Sequence, residues 1–406
     1  MKTTLLSLSM LGCAGKKALP TFPNILIVLT DDMGYGDYGS AGNPHLQTTH
    51  LDELAGESVK FKYFYVSPVC APTRASLLTG KYHQKVGVRS VLNGFETMDP
   101  GANSLAEILS AKGYTTGIFG KWHLGENYPS VPNAQGFDEY FGFRTGHTEN
   151  YFDPILEHNG KMEQTRGYIT DVLTDKAIEF ISNQKTPIFC YLAYNAPHTP
   201  LQIDSAYYRH FLEKGLPLQT AKVYGMIENI DENLGRLFQA INDNSLMDNT
   251  IIIFMSDNGP LTGGWKNTDE LRYNVGLRNQ KYSVYEGGIR TQCFWKWEGK
   301  WFPAYDTISL AAHIDVVPTL LDIIGSGNVA DFDGVSLKNQ LEGQPNSKDE
   351  RSYFENFHLS TLRDLAPYPG GAAIRQRWKM VNGDELYHLA SDPGEKHNLA
   401  EEFPEN

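Results

Sequence analysis

The chain has 406 residues, of which 41% are hydrophobic and 20% are charged, so it is long enough for one large core and a small appended domain. Its net charge of −13 argues against a nucleic-acid-binding protein, and any site for an anionic ligand must therefore be locally basic. No run of eighteen apolar residues follows the N-terminal segment, so we expect no transmembrane span.

Residues 1–20 resemble a bacterial lipoprotein signal peptide. Lys2 precedes a short apolar run at 3–11, which is followed by small residues around Cys13. We therefore expect an exported protein, periplasmic or tethered to the outer membrane, with a possible lipid anchor at Cys13. A plain export signal without lipid attachment is the alternative.

Short apolar stretches alternate with helical patterns along the chain. The patterns predict strands at 24–30, 114–119, 187–194 and 250–256, and helices at 73–79, 104–112, 170–184, 220–242 and 313–324. This alternation is typical of an α/β sheet covered on both faces, in which ligands bind at the carboxyl ends of strands.

The last part of the chain has a different character. Residues 326–350 are rich in Gly, Asn, Asp and Ser, and the segments after residue 372 alternate like a small antiparallel sheet. We therefore predict a catalytic domain at 21–345 and a small C-terminal subdomain at 346–406.

Two acidic pairs stand directly after predicted strands. Asp31 and Asp32 follow the first strand, and Asp257 and Asn258 follow the strand at 250–256. Both pairs can therefore converge at one edge of the sheet. Their ligand atoms are all oxygens, which suit a hard cation such as Ca²⁺ or Mg²⁺.

Other motifs carry a thiol and cationic groups. Residues 70–74 read Cys-Ala-Pro-Thr-Arg, and residues 120–123 read Gly-Lys-Trp-His. His198 ends an Asn-Ala-Pro-His segment, and Lys281 precedes Tyr-Glu-Gly-Gly at 285–288. Proline suits the first turn of a helix, so residue 70 should lie near a helix N-terminus, where an anion is favoured.

Together these motifs resemble the formylglycine-dependent type I sulfatases of the alkaline phosphatase superfamily, in particular arylsulfatase B and the polysaccharide sulfatases of bacteria. The resemblance extends from residue 24 to residue 400. It implies an alkaline phosphatase-like α/β fold, in which helices flank a large central mixed β-sheet and a small C-terminal antiparallel-sheet subdomain follows.

The resemblance also implies the chemistry of residue 70. A maturation enzyme would recognise Cys70, Pro72 and Arg74 and convert the cysteine into formylglycine. One hydroxyl of the hydrated aldehyde would attack sulfur, and the other would allow sulfate to be expelled, which splits one hard displacement into two easier steps.

Further roles follow from the resemblance. One Ca²⁺ would be held by Asp31, Asp32, residue 70, Asp257 and Asn258. Lys121 would bridge residue 70 and the sulfate, and His123 would hydrogen-bond the formylglycine hydroxyl. His198 and Lys281 would contact the sulfate, with His198 the first choice for the general acid and Lys281 the second. Arg74 would orient residue 70.

The expected substrate is a sulfated polysaccharide or a glycosaminoglycan-derived oligosaccharide. A phosphodiester or phosphonate hydrolase of the same superfamily is an alternative, although such relatives carry metal sites richer in His. A surface glycan-binding lipoprotein without turnover is another alternative, but it would be expected to lose Cys70, His123 or Lys281.

Two irregular stretches flank the motifs and are candidates for substrate recognition, since loops commonly carry specificity. The candidate residues are Arg144, His147, Tyr151, His158 and Arg166 in one stretch, and Trp265, Lys266, Arg272 and Arg278 in the other. Gly146 stands where the family often has serine, so no sulfate contact is assigned there. Trp295, Trp297 and Trp301 could form a sugar platform, but we expect them to pack in the small domain instead.

Overall fold

The structure, a computed structural model, describes residues 22–183, 187–261, 272–326, 331–344, 351–356 and 370–403. The N-terminal signal with Cys13, the candidates Trp265 and Lys266, and the domain boundary predicted at residue 345 lie outside these ranges. The signal and the boundary therefore stay predictions. Within the described ranges, no helix combines the length and the apolar character needed to cross a membrane.

A mixed sheet forms the centre of the protein. In the described part of the chain it has ten strands, in the spatial order β10-β2-β9-β8-β1-β7-β3-β4-β5-β6. Their bounds are β1 (Asn24–Thr30), β2 (Val59–Tyr65), β3 (Thr115–Lys121), β4 (Glu139–Phe143), β5 (Ile155–His158), β6 (Lys161–Gln164), β7 (Ile188–Ala193), β8 (Thr250–Ser256), β9 (Cys293–Trp297) and β10 (Ala304–Ala312).

Helices cover both faces of this sheet. They are α1 (Thr49–Gly56), α2 (Cys70–Thr79), α3 (Leu105–Ser110), α4 (Ile169–Asn183), α5 (Ser205–Glu213), α6 (Leu218–Asp243), α7 (Glu286–Ile289), α8 (Val316–Ile323) and α9 (Lys338–Leu341). Ile25 and Ile27 of β1 belong to one apolar core cluster, whereas Leu26 and Val28 belong to a second cluster. This two-sided burial explains why the strand is a continuous apolar run in the sequence.

The predicted strands are all present, and the first and last have the predicted bounds. The helix predicted at 73–79 begins three residues earlier, at Cys70, because Pro72 is tolerated in a first helical turn. The helix predicted at 313–324 begins as a 3₁₀ turn at His313–Asp315 before α8. Strands β2, β4, β5, β6, β9 and β10 were not predicted.

A separate antiparallel sheet lies near the C-terminus, as the alternating tail predicted. In the described residues it contains β11 (Ser352–Asn356), β12 (Gly371–Arg375), β13 (Trp378–Val381) and β14 (Glu385–His388), in that order. Lys379 of β13 joins this sheet to the rest of the protein, since its ammonium lies 3.0 Å from the Glu286 carboxylate and 2.8 Å from that of Glu395.

Candidate active site

The carboxyl ends of two central strands bring the acidic pairs together. β1 and β8 are parallel neighbours, with Thr30 opposite Ser256, so the residues that follow each strand lie side by side. The backbone N–H of Asp32 donates to Asp257 Oδ1 over 3.3 Å. The side chains of Asp31, Asp32, Asp257 and Asn258 are all buried.

Cys70 is placed beside these acids by the start of α2. An extended residue, Val69, precedes the helix, so residue 70 lies at the helix N-terminus, where an anion is favoured. The ligand atoms of Asp31, Cys70 and Asp257 lie within 4.8 Å of one another. The site therefore gathers a thiol, carboxylates and a helix N-terminus at one point.

Three buried cations are paired with the three carboxylates. Lys121 Nζ, at the end of β3, lies 2.6 Å from Asp31 Oδ2, and Lys281 Nζ lies 2.5 Å from Asp32 Oδ1. Arg74 donates to Asp257 Oδ2 over 2.8 Å and also to the carbonyl of Lys121 over 2.9 Å. Arg74 thus ties α2, β3 and β8 together, which fixes the helix that carries Cys70.

His123 contacts the thiol directly. Its Nδ1 lies 3.3 Å from Cys70 Sγ, while its Nε2 donates to the carbonyl of Val91 over 3.1 Å. Burial lowers the pKa of His123 well below its ordinary value, and Lys121 and Arg74 lower it further. The neutral ring therefore keeps its proton on Nε2 and points the Nδ1 lone pair at residue 70.

Residue 146 is glycine, where the family that the motifs resemble often has serine, and the structure shows what surrounds it. A Cβ atom at this position would lie 2.6 Å from Nε2 of His123, closer than side-chain atoms approach. The backbone at Gly146 thus packs against the His123 ring and leaves no room for a side chain.

Trp122, between Lys121 and His123, is buried and donates from Nε1 to the carbonyl of Ser130 over 2.9 Å.

His198 faces the acids from the turn after β7. Its Nε2 lies 3.9 Å from Asp32 Oδ2, and its Nδ1 donates to the carbonyl of Thr199 over 2.6 Å. Burial lowers the pKa of His198 to about 4, although Asp31 and Asp32 oppose that shift. The ring is therefore neutral at neutral pH.

The pKa values of Asp31 and Asp257 are shifted in opposite directions. Burial alone would raise the pKa of Asp31, but Lys121 and the other nearby cations hold it far below its ordinary value. Burial and the Asp31 carboxylate raise the pKa of Asp257, although Arg74 opposes them. A cation between Asp31 and Asp257 would relieve this repulsion.

Three buried oxygens of the acidic pairs have no hydrogen-bond partner: Asp31 Oδ1, Asp32 Oδ2 and Asn258 Oδ1. Buried oxygens without partners cost free energy unless something else satisfies them. All are hard ligands of the kind that Ca²⁺ and Mg²⁺ prefer. The residues present therefore fit an oxygen-coordinated cation, with residue 70 beside it.

A cavity of about 510 Å³ leads from Cys70 to the surface. Its wall contains His123, His198 and Lys281 together with a loop at 91–96 that the sequence did not mark. His147 lines the cavity as well, and so does Arg144, whose guanidinium is held by the carboxylate of Glu157 and the carbonyl of Glu126.

Several residues proposed for substrate recognition are engaged elsewhere. Tyr151 is buried and donates to the carbonyl of His198 over 2.9 Å, so it supports the His198 turn. Arg272 is buried against Asp37 and donates to the carbonyl of Asp32 over 2.9 Å. His158 lies between two glutamates, 2.6 Å from Glu139.

The other candidate recognition residues differ in their surroundings. Arg278 stacks 3.8 Å from the ring centre of Tyr285 and donates to Tyr387 over 2.7 Å, so it links to the C-terminal sheet. Arg166 is exposed. The indoles at 295, 297 and 301 pack on one another and on the core of the large sheet, because β9 pairs with β8 and β2; the prediction that they pack in the small domain was wrong.

Comparison with known proteins identifies the class. The family described as Sulfatase matches residues 23–326, and the one described as N-sulphoglucosamine sulphohydrolase, C-terminal, matches residues 277–405. The chain therefore belongs to the sulfatase family, whose members are sulfuric ester hydrolases.

Individual proteins are also similar. N-acetylgalactosamine-6-sulfatase of Mus musculus is 31% identical, over 84% of this chain and 70% of that protein. An uncharacterized sulfatase of Escherichia coli (strain K12), YdeN, is 30% identical, over 86% and 74%. The solved structure of Ps i-CgsB in complex with k-i-k-neocarrahexaose superimposes with a TM-score of 0.85 at 30% identity, over 95% of this chain and 90% of that one. The expected alkaline phosphatase-like fold is thus confirmed.

Proposed function

We propose that this sulfatase removes sulfate from a sulfated polysaccharide or a glycosaminoglycan-derived oligosaccharide, with formylglycine at position 70 and one bound calcium ion. The observation that carries the proposal is the placement of Cys70 at the start of α2, with His123 Nδ1 3.3 Å away and the Asp31 and Asp257 oxygens close by. Support for a sugar substrate comes from relatives named for a sulfated sugar or solved with a carrageenan-type oligosaccharide.

Calcium would be held by Asp31, Asp32, Asp257, Asn258 and residue 70. The unpartnered oxygens of Asp31, Asp32 and Asn258 are free to bind it. When bound, the ion would screen the charged ester and lower the pKa of the attacking hydroxyl. The hydrated formylglycine would supply that hydroxyl and a second one for the release of sulfate.

The protein's own residues would move the protons. His123 Nδ1 carries a lone pair aimed at residue 70, so it is placed to accept a proton from a hydroxyl there. Lys121 is paired with Asp31 and Lys281 with Asp32, and both lysines would also pair with sulfate oxygens. Arg74 would keep residue 70 in place through its contacts with Asp257 and the Lys121 carbonyl.

His198 is our choice for the general acid towards the leaving sugar alkoxide. Its Nδ1 is fixed by the Thr199 carbonyl, so Nε2 is the atom that would carry the proton. An anionic sulfate beside the ring would raise its low pKa and favour that proton. Lys281 is the second choice, because its pKa is raised well above the ordinary value by Asp32 despite burial, which makes it a weaker acid.

The alternatives fit less well. In the described residues, the possible metal-ligand groups around the acids include one histidine, His198, whereas phosphonate-cleaving relatives have sites richer in His. A glycan-binding protein without turnover would not need Cys70, His123 and Lys281 to converge on one cavity.

The first test is the mass of tryptic peptide 63–74 from protein produced together with a formylglycine-generating maturation enzyme. We expect a mass lowered by the replacement of CH₂SH with CHO. The peptide that contains the buried Cys190 is the internal control, because its thiol should be unchanged. An unmodified Cys70, or full sulfatase activity in a Cys70→Ala variant, would contradict the proposal.

A further inference from the structure

A second cavity, of about 300 Å³, lies against β2, β9 and β10 near one edge of the large sheet. In the described part of the chain it shares no lining residue with the cavity at Cys70. Its wall includes Tyr35, Tyr38 and Tyr305 together with Lys60 and Gln292.

The mouth of this cavity combines an aromatic ring with a cation. Tyr305 of the edge strand β10 is 52% exposed, and its hydroxyl lies 3.3 Å from that of Tyr35. The Lys60 ammonium lies 5.7 Å from the centre of the Tyr305 ring. In the described residues no carboxylate lies within salt-bridge distance of Lys60, so its charge is available to an anion.

The inner wall carries a hydrogen-bond donor without a partner. Gln292 is 2% exposed, and its Oε1 accepts a hydrogen bond from Thr291 Oγ1 over 3.2 Å. Its Nε2 is buried and has no hydrogen-bond partner. This nitrogen lies inside the wall and is not open to the cavity, so the polar groups that a ligand can reach are those at the mouth, on Tyr35, Lys60 and Tyr305.

We propose that this cavity is a second carbohydrate-binding site that holds one sulfated sugar unit of a polymer. The sugar ring would lie on Tyr305, a sulfate oxygen would pair with Lys60, and a sugar hydroxyl would hydrogen-bond the Tyr35 hydroxyl. The choice of a sulfated carbohydrate rests on the proposed function. A second contact with the same polymer would raise its effective concentration near Cys70 without altering the chemistry there.

Affinity gel electrophoresis tests this site directly. The protein is run through gels that contain κ-carrageenan, chondroitin sulfate or heparin, with neutral agarose as the uncharged comparison. Retardation by at least one sulfated polymer is expected, and Tyr305→Ala and Lys60→Ala should each weaken it by about five- to tenfold. Tyr128→Ala is the matched control, because Tyr128 is 83% exposed and lies outside the cavity lining.

Hydrolysis of 4-nitrocatechol sulfate separates this proposal from the proposed function. All three variants should cleave this small substrate at the wild-type rate, since neither Lys60 nor Tyr305 lines the cavity at Cys70. Retardation that is absent, or equal in wild type and both cavity variants, overturns the second site even when the small substrate is cleaved. Retardation that depends on Lys60 and Tyr305, without any hydrolysis by matured protein, supports the site and contradicts the proposed function.

Discussion

Replacing Lys379 with methionine should destabilise the protein strongly. Lys379 is fully buried, and its ammonium lies 3.0 Å from Glu286 and 2.8 Å from Glu395. Arg290, 3.3 Å away, still pairs with Glu286 in the variant, but within the described residues Glu395 has no second cation within salt-bridge distance. Breaking a buried ion pair from one side costs about 3–5 kcal/mol, since the remaining charge is left uncompensated.

The cost should depend on pH. Burial raises the pKa of Glu395 in the folded protein, whereas Lys379 lowers it, so removal of Lys379 raises it further. The folded variant then binds a proton more tightly than the unfolded chain, and stability is lost as the pH rises through the folded pKa. The deficit should be largest at mildly alkaline pH and smaller in mild acid.

Urea unfolding at a mildly alkaline and at a mildly acidic pH measures the loss of stability and its pH dependence. Lys176→Met is the matched control, because the Lys176–Glu179 pair has a similar distance of 2.9 Å but is exposed. Its loss should cost about 0.5 kcal/mol or less. If Lys379→Met costs no more than this control, or if its deficit grows in acid, the account of the buried cluster is wrong.

Three further predictions concern the active site. Gly146→Ala should lower turnover more than tenfold by displacing the His123 ring, with little change in Tm, whereas Gly56→Ala, which has open space for its Cβ, should be neutral in a sulfate-ester assay. Prolonged chelation should abolish activity and lower Tm, and calcium should restore both; full activity in excess chelator would refute the cation site. His198→Ala should reduce kcat on sugar sulfates far more than on 4-nitrocatechol sulfate, and equal losses would remove His198 from the acid role.

The centre of the fold could be predicted because its strands are buried on both faces. β1 and β8 are continuous apolar runs whose ends are marked by acidic pairs, so their bounds and the convergence of the pairs follow from the sequence. β9 could not be placed in this way. It runs antiparallel between β8 and β2, and such long-range pairing leaves no local pattern.

The sequence could not show which of the candidate side chains face the cavity. The types of Tyr151 and Arg272 suited substrate recognition, yet both side chains point inwards and hold the turns that carry His198 and Asp32. Irregular segments have no period that would show which side chains face the cavity. The same limit applies to Gly146, where the sequence showed the departure from serine and the His123 ring gives its cause.

The charge balance of the site explains how a chain with a net charge of −13 accommodates an anion. Three buried carboxylates face three buried cations, so the side chains alone provide no excess of positive charge. A divalent cation on the unpartnered oxygens would make the site positive, as the binding of a sulfate group requires. Arg74, Lys121 and Lys281 are therefore needed first to hold the carboxylates together in the folded protein. Their attraction for sulfate would follow only once such a cation took over part of that compensation.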